Sequence, residues 1–173
     1  YAGEIELKKF KIRPENFSSF LEVDASLEFQ ENRLDILSAN IDSNQNELSF
    51  SGKYQRGNSP RLDLKLTGKR LDIGEIFPEP KSQEAPLIDR LNQSEFFSKG
   101  KGRVRFNLDR LGYKLLKLDK VAGEIFLKNK EIELKDLNFA SNRLVKSEGR
   151  MLVDSKGVGH FEAGISAQDI ETK

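Results

Sequence analysis

LDILSANI (34–41) and IELKDLNF (132–139) decide how this chain is read. In each, apolar residues sit two apart, the phase slips, and two more follow. Leu34 and Ile36 precede Ala39 and Ile41; Ile132 and Leu134 precede Leu137 and Phe139. Alternation at period two marks a strand with one buried face. A slip inside the run predicts a β-bulge, which bends the strand and deepens its twist. Each stretch leads through a turn into a glycine-bearing strand, so one β unit recurs in the same order.

The neighbouring segments carry the same pattern. EIELKKFKI (4–12) alternates through Ile5 and Leu7, slips, and resumes at Phe10 and Ile12. In FLEVDASLEF (20–29), Leu21, Val23, Ala25, Leu27 and Phe29 point one way and the acidic residues and Ser26 the other. Leu48, Phe50, Gly52 and Tyr54 share a face in ELSFSGKY (47–54), as do Leu62, Leu64 and Leu66 in RLDLKLTG (61–68). Turns are expected at Glu31-Asn32, Asn44–Asn46 and Gly57–Pro60. Short strands at this spacing predict an antiparallel meander.

Residues 73–99 break the pattern with three of the five prolines, Pro78, Pro80 and Pro86. LIDRLNQSEFF (87–97) has the spacing of a short amphipathic helix starting after a proline. Phe96 and Phe97 suit a gate or a membrane contact, but aromatics in such a place more often seat a helix on a sheet. The strands resume with Val104, Phe106 and Leu108, then LDKVAGEIFLK (118–128), a turn at Asn129-Lys130, EIELKDLNFA (131–140), LVKSEGRMLVD (144–154) and GHFEAGISA (159–167). Glycines 123, 149, 159 and 164 lie inside strands, where bulges, sharp coiling or a close backbone approach explain them.

Composition narrows the function classes. Hydrophobic residues make up 36% of 173, which fits strands greasy on one face better than a doubly covered parallel sheet. Charged residues are 33% yet net to +1, without the basic excess of a nucleic-acid binder. The basic run Lys99, Lys101, Arg103 and Arg105 suits anionic head groups or phosphates, but the solvent face of one strand is the better account, because the alternating apolar residues already explain its spacing. The absence of cysteine removes disulfides, thiolate catalysis and cysteine-bound zinc. His160 is the single histidine, with no nucleophile elbow beside it, and no calcium loop is present. Gly100-Lys101-Gly102 precedes a strand, the wrong place for a dinucleotide fingerprint. Paired carboxylates for glycoside chemistry would have to come from the tertiary structure. No enzymatic activity, metal or cofactor is expected. No run reaches the ~20 apolar residues of a membrane helix, and the opening at Tyr1 leads us to expect a piece of a longer protein.

The order of these motifs resembles the periplasmic part of AsmA-like proteins, the group that includes the TamB and YhdP relatives. Leu71, Asp72 and Ile73 match a strand end that leads into a helical insert. Leu115, Leu118, Val121, Gly123, Ile125, Leu127, Ile132, Leu134, Leu137 and Phe139 match the run that follows it. The resemblance covers residues 20–170; Asn142 and Arg143 stand where the family often has a glycine pair. It implies an inner-membrane anchor, a body in the periplasm of a Gram-negative bacterium, and a curled sheet whose hydrophobic groove helps move phospholipid between membranes or maintains the outer membrane.

The expectation is therefore a mainly β chain: a long curled antiparallel sheet, an open or taco-like groove, with a short helical insertion around 75–99. Residues 1–173 form one fragment, with sub-repeats 1–73 and 100–173 and the insert at 74–99. The expected acyl-chain groove is lined by Leu21, Val23, Leu27, Leu62, Leu64, Leu66, Val104, Phe106, Ile125 and Leu127. Expected partners are phospholipid or acyl chains, neighbouring repeats of the same chain and envelope proteins, with no nucleic acid. The rival is a structural or protein-interaction module working through the edges around 4–12 and 159–167; a glycan-active enzyme ranks below both.

Overall fold

The computed structural model describes residues 2–13, 20–76, 94–113, 115–128, 130–140, 144–153 and 159–168, the last two segments as backbone. The strands are β1 (Ala2–Ile12), β2 (Leu21–Gln30), β3 (Arg33–Asp42), β4 (Glu47–Gln55) and β5 (Arg61–Asp72), then β6 (Lys101–Tyr113), β7 (Leu116–Lys128), β8 (Glu131–Ala140), β9 (Leu144–Val153) and β10 (Gly159–Gln168). Among the described residues two short helices, α1 (Ile73–Ile76) and α2 (Glu95–Lys99), lie between β5 and β6. All ten strands form one sheet in sequence order, so β1 and β10 are its two edges and it is not closed.

The expectation of a wholly antiparallel sheet is corrected at one place. Every neighbouring pair is antiparallel except β5 and β6, which run parallel, making the sheet mixed. The reason is a matter of parity. A meander of five strands begins and ends in the same direction, so a second five-stranded meander laid beside it in the same sense meets it in parallel. Parallel neighbours cannot be joined by a tight turn and need a crossover of a dozen or more residues. Residues 73–100 supply it, with α1 at one end and α2 at the other.

The register shows how alike the two meanders are. One row across the sheet reads Ile5, Leu27, Ile36, Gly52, Leu64 and continues Val104, Ile125, Leu134, Gly149, Ala163. The adjacent row reads Gly3, Phe29, Leu34, Tyr54, Leu62 and continues Gly102, Leu127, Ile132, Met151, Phe161. Residues at matching places in the two halves are 97 to 99 positions apart. Glycine answers glycine twice, at 3 and 102 and at 52 and 149.

The phase slips are bulges. β1 shifts register between Leu7 and Phe10, with Lys9 at φ 49°. β3 shifts between Ile36 and Ala39, and β8 between Leu134 and Leu137, with Asp136 at φ 50°. The β3 and β8 bulges fall between the same two rows of the sheet. Opposite the β3 bulge, Gly52 takes φ 153°, a conformation that side chains seldom tolerate. Gly123 in β7 has a different reason. A β-carbon there would lie 2.9 Å from the Phe106 ring and 3.2 Å from the Lys135 carbonyl oxygen, because β8 presses close at its own bulge.

The expected turns at 31–32, 44–46 and 57–60 are present. The Ser43 hydroxyl accepts from the Asn46 amide at 3.0 Å, a local alternative to the sheet ladder. The Asn46 side chain is 1% exposed, and its Oδ1 accepts from the Asp72 amide at 2.8 Å, tying this turn to the end of β5. The helix expected to start after Pro86 falls up to residue 93 outside the described residues. Among the described residues of that run a helix starts only at Glu95: Ser94 is extended, and its hydroxyl accepts from the Phe97 amide to cap α2, so the expected run through 87–97 is interrupted at Ser94.

Candidate functional site

The candidate site is the apolar face of the sheet. Alternation puts it there, and the register makes it continuous. Leu62 and Leu127 stand in the Gly3 row, and Leu27, Leu64, Val104 and Ile125 in the Ile5 row. Leu66 faces Phe106 in the next row, and Val23 faces Ile41 in the one beyond. Leu21 pairs with Ile12 farther along β2. All ten sequence-chosen residues therefore share one face. Nine are half-buried; Leu21, 7% exposed, offers little surface to a ligand.

Half-burial is what a single layer gives. Each side chain is flanked by its row neighbours but has no second sheet above it among the described residues. Among the described residues the face is covered toward its two margins. At one margin α2 sits over the middle strands. The Phe96 ring lies 6.3 Å from Tyr54, and a β-carbon on Gly102 would come 3.3 Å from Phe96 and 3.1 Å from Leu127. Phe97 is 4% exposed, and its carbonyl accepts from the Lys130 amide at 3.0 Å. The aromatic pair thus seats the helix on the sheet. At the other margin Leu48, Leu108 and Val121 are buried, Val121 completely, and α1 lies against β6.

The sequence-chosen list omitted apolar-face residues that the same alternation signals. Leu34, Ile36, Phe50, Tyr54, Ile132 and Leu134 occupy the same rows as those named, on the strands between them or beside them. Their strands were recognised; what sequence alone lacked was the register that makes them neighbours.

The opposite face is polar and cross-linked by charge. Arg103 grips Glu124 with both ends of its guanidinium, at 2.7 and 3.1 Å, and Arg105 reaches Asp63 at 2.9 Å. Arg33 pairs with Asp35 at 2.7 Å. These carboxylates hold the Arg33 and Arg103 guanidiniums above their ordinary pKa, chiefly through the hydrogen bonds themselves. The same cause raises Lys69, bonded to Glu47. One aromatic breaks the polarity: Phe126 lies under Arg103 at 5.5 Å and Lys135 at 5.3 Å, so two cations cover its ring.

Among the described residues no group of three His, Asp or Glu is placed to hold a metal, and no helix is long and apolar enough to cross a membrane. His160 stands opposite Leu152 in the β9–β10 ladder. Comparison with family models, with curated proteins and with solved structures finds no match for this chain.

Proposed function

We propose that this chain is a segment of a lipid-handling β-groove. Acyl chains lie along the apolar rows, in a periplasmic protein anchored to the inner membrane that contributes to phospholipid transport between the membranes or to outer-membrane upkeep. The observation that carries the reading is the unbroken apolar row across ten strands on a face with no second sheet among the described residues. At ~4.8 Å per strand that row is about 43 Å long. One leaflet of a bilayer core is only about 15 Å deep, so the row exceeds a single lipid tail and suits passage better than one fixed site.

Curling supplies the trough. Neighbouring strands rotate by about 20–25° each, and open sheets of ~10 strands usually curl. The bulges of β3 and β8 bend the sheet along one line between the same two rows, where Gly52 and Gly123 remove side-chain bulk. Energetics also favour a conduit. Ten buried methylenes contribute about 8 kcal/mol gross, against association costs of about 4–15 kcal/mol. The balance is weak and non-directional, so lipid that enters also leaves.

A second reading, a protein-interaction module, draws on one end of the sheet. Ile5, Phe10, Ile12, Phe20 and Phe29 are 37–62% exposed around the β1 edge, a patch that a neighbouring repeat would cover. Native mass spectrometry for co-purifying lipid, with uptake of a fluorescent acyl probe, separates the two. Leu64→Asp or Phe106→Asp abolishes uptake under the groove reading, while Lys65→Glu on the polar face leaves it intact. Equal losses in all three, or no lipid and no uptake in the unaltered chain, count against the groove.

A further inference from the structure

We propose that the polar face carries a binding basin for a phosphate group at the junction of β4, β5 and β6. The basin lies on the side of the sheet away from the apolar rows, so it stands or falls independently of acyl-chain binding. It is an open depression of about 360 Å³ lined by Lys53, Gln55, Arg61, Asp63, Lys101 and Arg103, with Leu62 and Gly102 between them. Two adjacent rows build it: Gln55, Arg61 and Lys101 in one, Lys53, Asp63 and Arg103 in the other.

The charge balance there differs from that of the whole molecule. The chain nets to +1, while the basin gathers four cations around one carboxylate. That carboxylate, Asp63, is engaged by Arg105 from outside, and Arg103 is engaged by Glu124. Among the described residues Arg61 and Lys101 have no acidic partner, and Lys53, which stands between Asp35 and Asp63 in the ladder, forms no close ion pair with either. Arg61 and Lys101 are moreover direct partners in the parallel ladder. Like charges placed directly opposite destabilise a sheet, and an anion between them relieves the repulsion.

The donor set selects the chemistry. A guanidinium presents a planar fork and two ammonium groups act as point charges, which together suit an oxyanion with several oxygens and more than one negative charge. A single carboxylate would leave most of that charge uncompensated. A phosphate, whether on a lipid head group or on a soluble compound, matches it.

The test uses the whole chain at low ionic strength. Thermal unfolding is followed during titration with inorganic phosphate, against chloride at matched ionic strength. The unaltered chain is stabilised by phosphate beyond the chloride control. Arg61→Gln with Lys101→Gln raises the apparent phosphate Kd about tenfold, while Lys117→Gln, an exposed lysine at the far end of β7, leaves it unchanged. Because removing the facing charges relieves repulsion, the double variant folds, as its far-UV circular dichroism verifies; Lys53→Gln is the independent second variant and shows a smaller loss. No specific stabilisation of the unaltered chain, or equal losses in the basin variants and Lys117→Gln, overturns the proposal. Flotation with phosphatidylcholine vesicles, with and without phosphatidylglycerol, then separates the sources. Co-flotation that needs phosphatidylglycerol and both basin charges assigns a lipid head group; a phosphate response without co-flotation assigns a soluble phosphate compound.

Discussion

Replacing Gly52 with alanine tests the close backbone packing opposite the β3 bulge directly. Gly52 sits at φ 153°, facing Ile36 beside the β3 bulge on one side and Leu64 of β5 on the other. A β-carbon added there collides with the Asp63 carbonyl oxygen and comes within 2.9 Å of the Leu64 α-carbon. Both obstacles are backbone of a paired strand, so neither can rotate aside. Holding a non-glycine residue in this backbone region costs about 1–3 kcal/mol. Displacing packed backbone to make room costs about 1–3 kcal/mol more. The expected loss is about 4 kcal/mol, equivalent to roughly 8–16 °C in Tm for a chain of this size. Urea and thermal unfolding followed by far-UV circular dichroism measure it. Gly57→Ala is the paired control: nothing lies within 4 Å of its added β-carbon, and its φ is not positive. That change leaves stability unaltered or raises it by about 0.4–1 kcal/mol through the unfolded chain. A Gly52→Ala loss no larger than that of Gly57→Ala would refute the reasoning, because the strand would then accommodate a β-carbon opposite the bulge without needing glycine.

Two further outcomes follow from burial and charge. Val121→Ala, at a fully buried side chain, is expected to cost about 2 kcal/mol for two lost methyl groups and the space they leave; Leu115→Ser, at a 99% exposed residue, stays within about 0.5 kcal/mol, and equal effects in urea unfolding would show that the sheet margin is not packed. Glu47 holds the Lys69 ammonium above its ordinary pKa. A raised lysine pKa means the pair's stabilisation is complete below lysine's unfolded pKa of about 10.4 and fades as pH climbs through the higher folded value. Tm measured from neutral to strongly alkaline pH should therefore fall less steeply in Glu47→Gln than in the unaltered chain, and parallel curves would exclude this pair as a contributor.

Much of the local architecture is legible without coordinates. Alternation in 20–29, 47–54 and 61–68 marks β2, β4 and β5, and the slips in 4–12, 34–41 and 132–139 mark the register shifts of β1, β3 and β8. These signals are readable because side chains on a strand alternate faces residue by residue, and an extra residue breaks that count on the spot. The basic stretch 99–105 was readable only as two alternatives. The structure divides it: Arg103 and Arg105 meet acidic partners on neighbouring strands, and Lys99 meets Glu95 within α2, while Lys101 faces Arg61 across the parallel junction.

The amino-acid order by itself determined that the chain makes short strands with one oily face, where they bulge, and that a β unit recurs on either side of a proline-rich break. Only the tertiary structure decided that β5 and β6 run parallel, that the β3 and β8 bulges fall between the same two rows, and that Phe96 covers Gly102 beside Tyr54. The physical reason is range. Face and phase are set by successive residues along one strand, whereas direction, register and helix seating depend on groups tens of residues apart, whose pairing is fixed by the path of the connection and by which apolar rows align when the sheet assembles.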